Sequence, residues 1–135
     1  MIFETKPNTI TLSGNELPFK CDNIVLEQLQ EMYGDVFLYE EKLLGAYTEE
    51  NKKGENVTRY SGKPDTKAIN DGLYLMVCEG LDIAGEEPID RKTLIRMIDM
   101  HPVELTKVLH DEFMTCFERK NAKTMQSQKT KTAAK

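Results

Sequence analysis

The sequence predicts a mainly α protein with a short N-terminal β-hairpin, an α+β fold of about five helices in one compact domain. Apolar and polar residues alternate on both sides of a turn within residues 9–21, as in a hairpin with one buried face. Beyond residue 22, apolar residues recur at helical spacing in five segments. A chain of 135 residues is long enough for a core that needs no metal or disulfide.

The hairpin is predicted over residues 9–21, with its turn at residues 13–15. Pro18 cannot donate a hydrogen bond to a neighbouring strand, so its strand is expected to be an edge strand. A hairpin alone is marginally stable in water, so its apolar face must pack on helices. The alternating apolar residues are Ile10 and Leu12 before the turn and Leu17, Phe19 and Cys21 after it.

Each helix has a start or stop signal in the sequence. Asp22 or Asn23, Asp65 and Asp90 are suitable N-caps, Gly34 is a suitable end, and Pro102 suits a first helical turn. Gly72 and Gly80 lie on the most apolar helix, where they would let another backbone approach closely. The predicted helices span residues 23–33, 35–44, 65–80, 91–99 and 102–120.

Two segments have no periodic apolar pattern. Residues 48–64 are rich in Gly, Asn, Lys and Glu and are expected to form a mobile loop. The apolar stripe of the last helix stops at Phe117, so residues 121–135 are expected to be a disordered basic tail. Residues 119–135 hold six Lys and Arg and no acid, whereas the rest holds 12 bases and 23 acids, a balance of −11. This acidic body disfavours nucleic-acid binding.

The sequence contains no pattern typical of an enzyme or of a cofactor or metal site. His101 and His110 are the only histidines, and neither stands in a zinc motif or beside a nucleophile. No glycine-rich phosphate loop and no calcium loop is present. The three cysteines are expected to be buried thiols. The chain has neither a signal-peptide pattern nor a membrane-spanning apolar run, which predicts a cytoplasmic protein.

The remaining function class is protein binding, through a strand edge or an apolar groove. Among the seven methionines, Met32, Met76 and Met97 are expected in the core, whereas Met100 and Met114 lie off the main apolar stripes. The predicted partner-binding residues, chosen for apolar and edge character, are Leu17, Phe19, Phe37, Met100, Met114 and Phe117.

Four segments in this order resemble the tail assembly chaperones of long-tailed bacteriophages and prophages of Gram-positive bacteria. They are Leu17-Pro-Phe-Lys-Cys21, Val25-Leu-Glu-Gln-Leu-Gln-Glu-Met-Tyr-Gly34, Asp71-Gly-Leu-Tyr-Leu-Met-Val-Cys-Glu-Gly-Leu-Asp-Ile83 and the short helix from Leu94 to Asp99. A final amphipathic helix and a polar end follow. The resemblance covers residues 8–120 and rests on patterns, since the family has no catalytic signature.

The resemblance implies a small protein of the host-cell cytoplasm, absent from the finished virion, without cofactor or catalysis. It implies that the protein binds the tape measure protein, keeps its apolar stretches soluble and helps the tail tube protein assemble around it. Several copies of the chaperone would be needed along one long client, so weak self-association is also expected. Such chaperones often have a longer form made by frameshifting, so the lysine-rich end is a candidate place for a ribosome to slip.

Two other functions remain open from the sequence. One is a small acidic adaptor or inhibitor that binds a host protein, which the charge of residues 1–118 would suit. The other is a weak nucleic-acid binder that uses the basic tail. That tail has no aromatic residue for base stacking, and nucleic-acid binding is the less favoured of the two.

Overall fold

The computed structural model describes the backbone of residues 7–61 and 63–133, and the side chains of residues 7–61 and 63–117. Over this part of the chain the fold is α+β, with five helices and two antiparallel hairpins, so the predicted fold class is confirmed. None of the described helices combines the length and the apolar composition that a membrane crossing needs. The elements are β1 (Asn8–Leu12), β2 (Asn15–Phe19), α1 (Asn23–Tyr33), α2 (Val36–Leu44), β3 (Ala46–Glu50), β4 (Asn56–Tyr60), α3 (Thr66–Ala84), α4 (Arg91–Arg96) and α5 (Pro102–Ala133).

The predicted N-terminal hairpin is confirmed. Leu12 pairs with Asn15 across a two-residue turn, and both turn residues have positive φ, 50° at Ser13 and 77° at Gly14. This geometry matches the right-handed twist of paired strands. The Ser13 hydroxyl donates to the carbonyl of Met97 at 2.7 Å. The tip of the hairpin is therefore attached to the end of α4.

The hairpin packs against α3 by direct backbone contact. A Cβ at Gly80 would overlap the backbone of Pro18, so only glycine allows β2 to lie this close to the helix. The amide of Lys20 donates to the carbonyl of Met76 at 2.9 Å. At Gly72, a Cβ would overlap the Tyr39 hydroxyl. The predicted close approach of another backbone is confirmed at Gly80, whereas the close neighbour of Gly72 is the Tyr39 side chain.

The helix starts follow from local capping. The side chains of Asp22, Asp35, Asp65 and Asp90 each accept from first-turn amides of the helix that follows, which satisfies donors without an intrahelical partner. The predicted ends of two helices were displaced. Helix α3 continues past 80 to Ala84 because Leu81 extends its buried stripe, and α4 ends at Arg96 instead of 99.

One core joins all five helices and the first hairpin. Helix α3 lies at its centre, between the hairpin, α1, α2, α4 and α5. Met76 is fully buried as predicted, whereas Met32 is exposed and Met97 is half-buried, so the prediction that all three are core residues was wrong. The largest fully buried side chains are Tyr39, Phe113, Leu12, Leu29, Leu43, Leu73, Met76, Leu94, Leu105, Leu109, Val25 and Val77.

The loop predicted for residues 48–64 was wrong, because its central part forms the hairpin β3–β4. Thr48 pairs with Thr58, and the turn is closed by Asn51, whose side chain accepts from the amides of Lys53 and Glu55 at 2.9 Å. Most residues of these strands are exposed, so the alternation that reveals a half-buried strand is weak. β-branched and aromatic residues together with backbone pairing form the hairpin.

The last helix also differs from the prediction. Its backbone continues through residues 121–133, which were expected to be a disordered tail, and ends at Ala133 rather than at residue 120. No Gly or Pro follows Pro102 in the sequence, and the Lys, Gln, Ala and Met of residues 121–133 have high helix propensity. The predicted roles of the basic tail concern side chains outside the described set, and they stay predictions.

Candidate protein-binding groove

A groove lined by both apolar and polar residues runs between α2, the hairpin β3–β4 and α5. It consists of two adjoining depressions of about 270 and about 300 Å³ that share Leu44 and His110. We call it the α2–α5 groove. The first depression is lined by Leu44, Pro64, Val103, Thr106, Lys107 and His110, and the second by Phe37, Glu40, Glu41, Leu44, Ala46, Thr58, Tyr60 and His110.

Large apolar side chains around this groove face solvent. The exposed fractions are 67% for Tyr60, 57% for Val103 and 54% for Phe37. Single exposed apolar residues are common on protein surfaces, but a cluster around one concave surface is typical of an interaction site. These three residues come from β4, α5 and α2, so the tertiary fold brings them together.

The two depressions meet at a polar pair. His110 on α5 and Glu40 on α2 lie 2.7 Å apart between Nε2 and Oε2, and both side chains are about three-quarters buried. Glu40 interrupts the apolar face of α2 in the sequence, and this contact explains why a carboxylate is placed there. The pair joins the two helices that form opposite walls of the groove.

Aromatic rings support the wall at the second depression. The Phe37 and Phe117 rings are 5.8 Å apart between centroids, and Phe117 lies 5.1 Å from the buried Phe113. Tyr39 contacts Phe113 from α2 at 5.6 Å. These contacts connect the exposed Phe37 to the core, so its position is fixed by packing.

The floor of the first depression contains an unsatisfied hydroxyl. Thr106 is buried, and its Oγ1 has no hydrogen-bond partner among the described residues. A buried polar atom without a partner costs free energy. The groove therefore combines exposed apolar residues with the His110–Glu40 pair and with a Thr106 hydroxyl that has no partner among the described residues.

The predicted partner-binding residues lie in different parts of the fold. Phe37 lines the groove, and Phe117 contacts it from α5. The remaining four residues do not line it. Phe19 is buried beneath the first hairpin, and Leu17, Met100 and Met114 are half-buried against the core.

Most groove residues were not among the predicted partner-binding residues. Tyr60 lies in the segment predicted to be a loop, and its alternation with Thr58 is the sequence signal for a strand there. The signal for Val103 is an apolar residue in the first turn of α5 that does not belong to the buried stripe of this helix. Leu44 belongs to the apolar pattern of α2 and lines both depressions.

Among the side chains that the structure describes, three carboxylates outside the groove are buried, and the first is Asp71. Tyr33 donates to its Oδ2 at 2.7 Å, Lys67 lies 2.7 Å from the same oxygen, and Arg91 lies 3.0 Å from Oδ1. Burial raises the pKa of Asp71, but hydrogen bonds from Lys67 and Tyr33 and the charges of Lys67 and Arg91 outweigh burial and hold the pKa below its usual value. The ionised carboxylate joins α1, α3 and the start of α4.

The other two buried carboxylates are also engaged by the fold. Glu112 accepts from the amide of Cys21 at 2.9 Å and from Asn8 Nδ2, so it connects α5 to both ends of the first hairpin. Glu79 lies beside Asp22, the N-cap of α1. Burial, followed by the hydrogen bond to Asp22 and the charges of Asp22 and Asp82, raises the pKa of Glu79 to about 7. Each carboxylate has a structural partner.

The cysteines and the acidic residues form no metal centre in the described part of the chain. No group of three or more His, Cys, Asp or Glu there is placed to hold an ion. Cys21 is buried as predicted, and burial raises the pKa of its thiol far above the usual value. Cys78 and Cys116 are half-buried, and no disulfide joins the three cysteines.

Comparison of the chain with known protein families, with curated protein sequences and with solved structures finds no match.

Proposed function

We propose that this protein is a phage tail assembly chaperone, and that it binds an apolar helical stretch of the tape measure protein in the α2–α5 groove. The observation that supports the proposal most is the cluster of exposed apolar residues on three elements around one groove. The resemblance in the order of motifs supports the choice of client. The tail tube protein is a second partner that the same resemblance suggests.

The physical basis of binding is the burial of apolar surface of the client against apolar surface of the groove. A tape measure helix carries apolar stripes that are insoluble when exposed. Burying a Val, Leu or Phe side chain contributes about 1.5–3 kcal/mol before the costs of association are subtracted. A few such anchors give weak, reversible binding, which suits a protein that must release its client when the tube assembles.

Co-expression with a matched pair of variants tests this proposal. Val103 and Ile24 are both the second residue of a helix, with exposed fractions of 57% and 55%, but only Val103 lines the groove. We expect the wild type and Ile24→Glu to keep the tape measure protein soluble and to co-purify with it. Val103→Glu should lose both effects because it places a charge in the apolar contact.

Two results would contradict the proposal. If the tape measure protein stays insoluble with the wild-type protein, the assigned client is wrong. If Val103→Glu and Ile24→Glu retain the client equally, binding occurs on another surface. Circular dichroism of both variants establishes that each is folded, so that a loss of binding is not a loss of structure.

A further inference from the structure

Glu41 lines the second depression without a counter-charge. Its side chain is half-buried on α2, and it has no ion-pair partner among the described residues. Its neighbour Glu40 is different, because one of its oxygens is engaged by His110 at 2.7 Å. Glu41 is thus the carboxylate of the groove that is available to a bound molecule.

A partner with only apolar residues would bind weakly to the part of the groove that contains Glu41. A helix that covers Phe37 and Tyr60 would also remove water from Glu41, which shares their depression. Desolvating a charge without a partner is costly, and an opposite charge at the interface offsets that cost. A Lys or Arg side chain can do so while its methylene groups cover the aromatic surface, and a cation is also favoured over aromatic rings.

We infer that the α2–α5 groove selects an amphipathic helix that carries a Lys or Arg beside its apolar stripe, with this cation placed against Glu41. The inference rests on the proposed function and specifies the chemistry of its client. The acidic balance of −11 over residues 1–118 acts in the same direction at longer range. Lys107 lines the other depression, so the preference for a cation is confined to the half of the groove that contains Glu41.

Two synthetic peptides serve as probes for the 135-residue chain. Both are 18-residue helices with the same leucine stripe, and they differ in the residues that flank it, Lys in one and Glu in the other. We expect the Lys peptide to bind the wild type about tenfold more tightly than the Glu peptide at physiological salt, as for a partly desolvated ion pair. Fluorescence anisotropy with labelled peptides measures both affinities.

Charge reversal at a single position then tests the role of Glu41. Glu41→Lys should remove or invert the preference for the Lys peptide. The control Glu87→Lys changes the net charge of the protein equally at an exposed position outside the groove, and it should leave most of the tenfold ratio intact. An unchanged ratio in Glu41→Lys, or equal loss in both variants, would overturn the inference.

The outcomes separate this inference from the proposed function. Binding of both peptides with equal affinity, abolished by Val103→Glu, would refute charge selection and leave the groove as a binding site. Failure of both peptides to bind would contradict both statements. Sedimentation of the protein alone tests whether a second copy of this chain occupies the groove. An oligomer that is dissociated by Val103→Glu would show that it does, and would overturn the inference.

Discussion

Glu79 gives this fold a stability that decreases as the pH rises through neutrality. Glu79 is buried, with 8% of the residue exposed, and lies beside Asp22, and its pKa is raised from the ordinary 4.5 to about 7. The folded protein therefore keeps a proton that the unfolded chain releases. The stabilisation is fully present below about pH 4.5 and is lost as the pH passes through about 7. The difference between the two pKa values corresponds to roughly 3 kcal/mol in the free energy of unfolding, and most of this is lost between pH 5 and pH 8.

Glu79→Gln removes the ionisation but keeps a group that can donate to Asp22. The variant should be more stable than the wild type by about 1 kcal/mol at pH 5 and by roughly 3 kcal/mol at pH 8. Urea unfolding followed by circular dichroism at pH 5, 6, 7 and 8 measures both proteins. The other ionisable groups are the same in both proteins, so their effects cancel in the difference.

Glu87→Gln is the matched control for this experiment. It makes the same chemical change at an exposed position, and its difference from the wild type should stay constant over the pH range. A difference between Glu79→Gln and the wild type that does not change from pH 5 to pH 8 would refute the reasoning. It would mean that the Glu79 carboxyl ionises in the folded protein as easily as in the unfolded chain.

Three further substitutions test the packing of the core. Asp71→Ala leaves the Tyr33 hydroxyl without its acceptor and removes the ion pairs with the solvent-accessible cations of Lys67 and Arg91, and we expect a loss of about 1–3 kcal/mol in urea unfolding at pH 7. Gly80→Ala forces a methyl group into the Pro18 backbone and should cost about 1–3 kcal/mol, so a neutral effect on the melting temperature would contradict the close contact. Tyr39→Phe removes a buried hydroxyl that has no hydrogen-bond partner among the described residues, and stability should stay equal or increase by about 1 kcal/mol, whereas a clear loss would reveal a partner for that hydroxyl.

The sequence predicted the helix starts well because the responsible interactions are local. Asp22, Asp65 and Asp90 each accept from amides two or three residues ahead, so no distant segment is needed to place them. The turn at Ser13 and Gly14 is equally local. The hairpin β3–β4 was missed because its residues are mostly exposed, and the alternation that signals a strand requires one buried face.

The buried face of α2 could not be read from its sequence alone. Phe37 fits the apolar repeat of this helix, but it is exposed, whereas Tyr39 is fully buried. The orientation depends on Gly72, which leaves space on α3 for the Tyr39 ring, and on Phe113, which contacts that ring from α5. Both partners are far away in the sequence, so the periodicity of α2 contains no information about them.

The sequence by itself determined the fold class, the helix starts and the first hairpin, because capping, turn geometry and apolar periodicity act between residues close along the chain. Tertiary structure decided which apolar residues remain exposed and which carboxylates acquire partners. Glu40 meets His110 across 70 positions, while its neighbour Glu41 is left without an ion-pair partner among the described residues. The difference between these adjacent glutamates arises from the packing of α2 against α5, and the proposed selectivity of the groove depends on it.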